Sequence, residues 1–411
     1  MREMKDSGIE WIGAIPKDWK LTQARRLFNN KKEIVGDDVD KYERLALTLN
    51  GVIKRSKEDS EGLQPEKFEG YQILRKNNLV FKMIDLENVN TSRVGLSPYT
   101  GLVSPAYIVF SNNRDDNRYP YYWFMSMYYH EVFNHLGGDG VRSALNAKDM
   151  LSLPIPNIPE SEQARIANYL DKKCAKIDAI IEKQQEIIEK QKEYKLSIIN
   201  EKTNVNTRVT CHLSYLGKMK NGLNFSNADD GEKIMFLGVG DFKDYFVLDN
   251  KTMFSTITVD EKVISEELML ESGDIIFVRS NGSKELVGRA VMVDAIDFKL
   301  TYTGFAIRYR NMRRDIINSK YLLYYFRSPD FRKLLEKNSQ GSNISNMNQD
   351  LLGNIEINIP EMDYQNDTVC YLDEKCKVID NTIEKKQETI TKLLDYKKSL
   401  IYEVVTGKKE V

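Results

Sequence analysis

The chain has 411 residues, 60 Lys and Arg against 61 Asp and Glu, a formal net charge of −1 and four cysteines. That length exceeds one ordinary domain, and the balanced charge excludes a protein that coats nucleic acid by bulk electrostatics alone. An apolar run of about 18 residues is absent and Met1–Gly13 has no apolar leader, so a cytoplasmic address without membrane contact is expected.

In chain order, the first strand-like runs are Asn78–Met83 (NLVFKM) and Ser104–Phe110 (SPAYIVF), rich in β-branched and aromatic residues. An amphipathic helix is predicted around Tyr121–Phe133, where the aromatic cluster Tyr119–Tyr129 reads as core rather than as a stacking platform for bases. A polar loop, Gly138–Asn146, and a proline-ended segment follow, and a long helix begins after Pro159 with Ser161 as candidate N-cap. The same order then recurs: strand-like Asp274–Arg279 and Gly304–Arg310, a helix around Lys320–Lys337, the loop Gly341–Asn348, and a last long helix with Asp363 as candidate N-cap. The boundaries read as a domain over 1–160, a helix over 161–203, a second domain over 204–362 and a second helix over 363–405.

The recurrence is an internal duplication. YLDKKCAKID (Tyr169–Asp178) returns as YLDEKCKVID (Tyr371–Asp380), and Tyr169–Glu201 against Tyr371–Glu403 gives 19 identities in 33 positions without a gap. NIPE at Asn157–Glu160 is repeated at Asn358–Glu361. Both copies lack Pro and Gly and are rich in Glu, Lys, Gln and Ile, which favours helix. Apolar residues recur at steps of four and three: Leu170, Cys174, Ile177, Ile181 and Ile188, then Leu372, Cys376, Ile379, Ile383, Ile390, Leu393 and Leu400. This is a coiled-coil seam, interrupted by Gln184 and Lys386 at matching places. A stripe of this kind must be buried, and the sister helix is the nearest candidate. About 40 residues of helix span roughly 60 Å, more than a small domain needs.

Charge is uneven. Residues 229–274 carry 12 acidic against 4 basic side chains, whereas 279–337 carry 13 basic against 6 acidic, including Arg308, Arg310, Arg313 and Arg314. That stretch could present a basic face; the alternative is a set of solvated surface charges. Cys174, Cys211, Cys370 and Cys376 show no C-x-x-C spacing, and His130, His135 and His212 form no H-x-x-x-H pair, so reduced thiols and no structural zinc are expected.

The opening KDSGIEWIGAIPKDW (Lys5–Trp19), with its IP-x-x-W element, joined to two divergent domains each followed by a near-repeated helix, resembles the specificity subunits of Type I restriction-modification systems. The resemblance covers essentially the whole chain. It implies two α/β target recognition domains related by pseudo-twofold symmetry and joined by two long antiparallel coiled-coil helices. It also implies a double-stranded DNA partner carrying an interrupted asymmetric site, two methyltransferase subunits that bind S-adenosylmethionine, and restriction subunits driven by ATP with Mg. No cofactor is expected in this chain.

RSNGSKELVGR (Arg279–Arg289) resembles a recurrent loop of such recognition domains, and KMIDLENVNTSRVG (Lys82–Gly95) is its counterpart in the first domain. Arg and Lys suit guanine edges, Asn suits adenine, and Ser serves base or phosphate. The DNA-contact candidates are therefore Arg279, Ser283, Lys284 and Arg289, then Arg93, Lys82, Asn90 and Ser92, with Arg142 and Asn343 in the loops before the long helices. Asn281 is expected to shape a turn, and the competing reading of the whole segment is a surface hairpin.

Two other function classes compete. FLGVG (Phe236–Gly240) matches the F-x-G-x-G of methyltransferases, but the sequence has no Pro-Pro pair and hence no D/N-P-P-Y/F motif; a strand and turn explain it. Pro329-Asp330 lacks the spacing of a nuclease metal site, and no phosphate-binding G-x-x-x-x-G-K-[ST] loop is present. The other competitor is a coiled-coil scaffold that binds no DNA.

Overall fold

A computed structural model describes residues 2–59, 67–84, 86, 93–136, 144–224, 231–243, 245–260, 265–283, 285–338 and 346–411. The chain divides into two compact units, 1–184 with 388–411, and 185–387. Each long helix, Glu160–Thr203 and Met362–Val405, is one continuous element of 44 residues that contributes one part to each unit.

In the first unit a three-stranded antiparallel sheet has the order 108–110, 79–81, 94–96, and a four-stranded sheet the order 51–55, 44–48, 101–103, 72–74. Leu79, Val80 and Phe81 are all buried, which is why this strand reads as a continuous apolar run rather than an alternating one. Against the sheet lies the helix Arg118–Tyr129, whose Pro120 is tolerated because it falls in the first turn. Tyr119, Tyr122, Trp123 and Phe124 are buried, so the aromatic cluster is core as the sequence indicated, and Trp123 Nε1 donates to Pro154 O at 2.8 Å.

The second unit repeats this plan with longer strands. Its central sheet runs 217–221, 306–311, 275–278, 290–293, 247–248, and a three-stranded sheet runs 255–259, 232–237, 300–302. Phe236–Gly240 is the end of a strand followed by a turn of 3-10 helix, as the strand-and-turn reading required.

The long helices bury the seam within each unit. Leu170, Cys174, Ile177 and Ile181 join the first core with Leu400, Ile401, Val404 and Val405. Leu372, Cys376 and Ile379 join Ile198 and Ile199 in the second, with Ile383 partly buried beside them. Ile188 is buried, and Ile390 packs on the first core. In the second unit Tyr364 Oη donates to Lys202 O at 3.2 Å while Lys195 pairs with Asp380, so the helices run antiparallel there.

The stripe is not buried by the sister helix alone. Tyr122 Oη donates to Asp171 and Tyr324 Oη to Asp373, each at 2.7 Å, and Tyr119 Oη reaches Val405 O as Tyr321 Oη reaches Thr203 O. Every partner in these pairs is displaced by 202 residues from its counterpart. The duplication therefore preserved the joint between domain and helix as well as the helix itself.

The IP-x-x-W segment is also structural. Residues 4–6 and 14–16 form a hairpin, Trp19 is buried, and Tyr402 Oη donates to Ile12 O at 3.0 Å. Just beyond the end of the second helix at Val405, Gly407 has φ +71° and a close approach in which a Cβ would meet Pro16 Cγ at 2.4 Å. Among the described residues no helix is long and apolar enough to cross a membrane.

Candidate nucleic-acid interface

In both units the central strand pair carries an equivalent last rung. Lys82 N–H donates to Arg93 O in the first and Val278 N–H to Arg289 O in the second, each at 3.0 Å. A second segment joins each loop. Ile84 bridges Ala144 and Leu145 N–H donates to Met83 O at 2.9 Å; Ser280 bridges Asn346 and Met347 N–H donates to Arg279 O at 2.8 Å. The ends of the two loop pairs that the sequence presented separately thus meet at one sheet end in each unit.

These loops are held from behind. Asn146 Oδ1 accepts from Lys148 N–H at 2.8 Å and Asp149 N–H at 3.1 Å, and the equivalent Asn348 Oδ1 accepts from Leu351 N–H at 2.7 Å. Each Asn is the N-cap of a short helix, Ala147–Ser152 or Gln349–Gly353, so the chain leaves the loop in a fixed direction.

Arg279 is half-buried at its base, with N–H donating to Phe305 O at 2.7 Å, and its guanidinium has no hydrogen-bond partner among the described residues. Ser283 is exposed, and its N–H donates to Asn281 Oδ1 at 2.7 Å, the turn geometry expected of Asn281. Arg289 and Lys82 are half-buried at the strand ends. Arg93 points inward: it is 3% exposed, and Nη1 donates to Ile84 O at 2.7 Å, tying the two sides of the loop base together. Lys284, Asn90, Ser92, Arg142 and Asn343 lie outside the described residues.

Two braces of the second loop escaped the sequence reading. Arg327 Nη1 donates to Ala290 O at 2.9 Å with its guanidinium over the Phe246 ring at 5.1 Å, and Arg332 Nη1 donates to Val287 O. Burial, with the neighbouring Arg289 charge, pulls the Arg327 guanidinium down to about 10. Both arginines belong to the helical stretch about 40 residues downstream, and only the tertiary fold brings them to the strand.

Of the four arginines singled out in the basic stretch, Arg308 and Arg310 are turned into the fold rather than onto a face. Arg308 is 5% exposed and donates to Glu267 O at 2.7 Å. Arg310 forks onto the fully buried Asp274, with Nε and Nη2 at 2.8 and 2.7 Å, and also meets Glu271. Arg313 pairs with Asp315 at 2.9 Å, and Arg314 Nη2 donates to Ser272 O at 3.0 Å. The acidic stretch just upstream supplies the partners of Arg308, Arg310 and Arg314, and Arg313 pairs locally.

Residues 211–392 match the family model described as the Type I restriction modification DNA specificity domain. The specificity subunit of the Type I restriction enzyme StySPI from Salmonella potsdam is 24% identical over 303 residues, which span 69% of this chain and 63% of that protein. A chain from the solved structure on complex assembly and conformational transition of the type I R-M system superposes with a TM-score of 0.70 at 14% identity, covering 95% of this chain and 98% of that one. The HsdS subunit from Thermoanaerobacter tengcongensis gives a TM-score of 0.48 at 13% identity over 98% of this chain and all of that one.

Proposed function

We propose that the chain is a specificity subunit of the Type I restriction-modification kind and the DNA-reading subunit of such a complex, a reading supported by the match of residues 211–392 to the specificity-domain model and by its likeness to the StySPI subunit. It recognises an asymmetric two-part site in double-stranded DNA, one half with each unit. It positions two methyltransferase subunits, which supply S-adenosylmethionine chemistry, and restriction subunits, which use ATP and Mg. The chain itself performs neither methyl transfer nor cleavage, and the complex works in the cytoplasm.

One observation carries this reading. The two units bring the same two segment bases together at one sheet end, yet the residues at equivalent positions differ: Arg279 stands where the first unit has Met83, and Ser280 where it has Ile84. A shared scaffold with divergent loop chemistry suits two different half-sites.

The experiment is methyl transfer from labelled S-adenosylmethionine with the purified chain, the methyltransferase subunits of its complex, and both together. Transfer is expected only from the combination. Transfer by this chain alone would overturn the proposal.

A further inference from the structure

The two units align without a gap along the segment that follows their two-stranded pairings. Leu21–Gln23 pairs with Pro154–Pro156 as Thr210–His212 pairs with Glu356–Asn358, and Ala24 N–H donates to Leu153 O as Leu213 N–H donates to Ile355 O. Asn29 then bridges Ser111 as Lys218 pairs with Arg310. Across this aligned segment the charge differs sharply. The first unit carries Lys20, Arg25, Arg26, Lys31 and Lys32, all exposed; the second has Val209, Ser214, Tyr215, Lys220 and Asn221 at those positions. Lys220 is neutralised by Glu267.

None of the five first-unit cations has a carboxylate partner among the described residues. The nearest acid in sequence, Glu33, is held by Arg75, and Lys17 and Asp18 are engaged by Glu3 and Arg2. Lys32 Nζ donates to Pro105 O at 2.8 Å, which leaves its charge unbalanced. All five side chains are exposed, and no described carboxylate pairs with any of them.

The strip also leads to the reading loop. Asn30 Nδ2 donates to Val109 O at 2.8 Å, so the segment borders the edge strand of the three-stranded sheet. Lys32 lies beside Pro105, just before Ile108, and Ile108 pairs with Phe81, the strand end from which the 82–93 loop departs.

We propose that Lys20, Arg25, Arg26, Lys31 and Lys32 form a rail for DNA phosphates in the first unit, without an equivalent in the second. The inference rests on the DNA-reading function proposed above and adds an asymmetry to it: the sequence-independent, salt-sensitive share of binding falls mainly on the first unit. Exposed cations gathered on one segment of the chain suit a run of phosphates, and their neutralisation releases condensed counterions from the duplex.

The test is fluorescence anisotropy of the full chain with a labelled mixed-sequence duplex over a salt series. Combining Arg25→Gln, Arg26→Gln and Lys31→Gln should leave the melting profile unchanged, because the side chains are exposed. The slope of log affinity against log salt should fall by about two to three units, near 0.9 per lost phosphate contact. Lys218→Gln with Lys220→Gln in the second unit should lower it by no more than about one unit. A wild-type slope in the triple variant overturns the rail while DNA reading stands, and an equal fall in the second-unit variant overturns the asymmetry. Failure of the wild-type chain to bind the duplex removes both the rail and the function beneath it.

Discussion

The Nζ of Lys195 lies 2.7 Å from both carboxylate oxygens of Asp380. Lys397 stands in the same relation to Asp178, also at 2.7 Å, and each of these residues is 202 positions from its counterpart. The first helix thus supplies the lysine in one unit and the aspartate in the other. Both pairs are partly exposed, so each should contribute about 0.2 to 1 kcal/mol. Double-mutant cycles with Lys195→Ala and Asp380→Ala, and with Lys397→Ala and Asp178→Ala, should return coupling energies that agree between the two sites. Coupling at one site and none at the other would show that only one copy of the pairing is maintained.

The joint between domain and helix should be more costly to disturb. Tyr122 bonds Asp171, which also holds Arg118 at 2.6 Å; Tyr324 bonds Asp373, which holds Lys320 at 2.6 Å. Tyr122→Phe and Tyr324→Phe should each destabilise by about 1 to 2 kcal/mol in chemical denaturation, since a hydrogen bond to a carboxylate is lost. Burial first, and then the aspartate, raise the Tyr122 and Tyr324 phenols well above the ordinary value. Their folded-state contribution is therefore complete below the unfolded phenol value of about 10 and is lost as pH rises through the folded values. Ultraviolet titration should show these phenolates emerging with alkaline unfolding, and a smooth titration in the folded state near pH 10 would contradict that.

Arg279 and Arg93 should behave differently although both have the residue type of a guanine reader. Arg279→Ala should lower discrimination by about 1 to 3 kcal/mol in the second half-site and leave the first still demanded, if its guanidinium meets a base edge. Arg93→Ala removes a brace from Ile84 O and should lower the melting temperature of the first unit, with base preference following only through the loosened loop. Competition binding against substituted duplexes, alongside thermal melts, separates the two effects. A stable Arg93→Ala protein with altered preference at one base pair would make Arg93 a reader.

The thiols should divide by burial. Burial raises the Cys174 thiol to about 11, which leaves roughly one part in a thousand as thiolate at pH 8. Cys376 is raised in the same sense, whereas Cys370 is exposed. Maleimide labelling of the native chain with peptide mapping should mark Cys370 first and Cys174 and Cys376 only on unfolding. Rapid native labelling of Cys174 would mean that the joint opens.

Much of the fold was legible because the gene duplicated. The repeat at Tyr169 and Tyr371 exposed the plan, and the steps from Leu170 to Ile188 named a stripe that is buried. The stripe's full set of neighbours was not legible, since periodicity says that a face is covered but not that Tyr122 and Tyr324 share the covering. Charge counting failed for Arg308 and Arg310 because a count ignores strand pairing, which sets these side chains beside Glu267, Met269 and Asp274. The loop candidates were legible by residue type at Arg279 and Ser283. At Arg93 the same residue type turned inward, and no local pattern distinguishes a guanidinium that braces carbonyls from one that faces bases.

The most direct measurement is a map of modified bases in a host that carries this chain with the methyltransferase subunits proposed as its partners. The expected motif has two different half-sites separated by a fixed gap, and Arg279→Ala should relax one half alone. A palindromic motif, or methylation unchanged when this chain is removed, would contradict two-part reading by the two units.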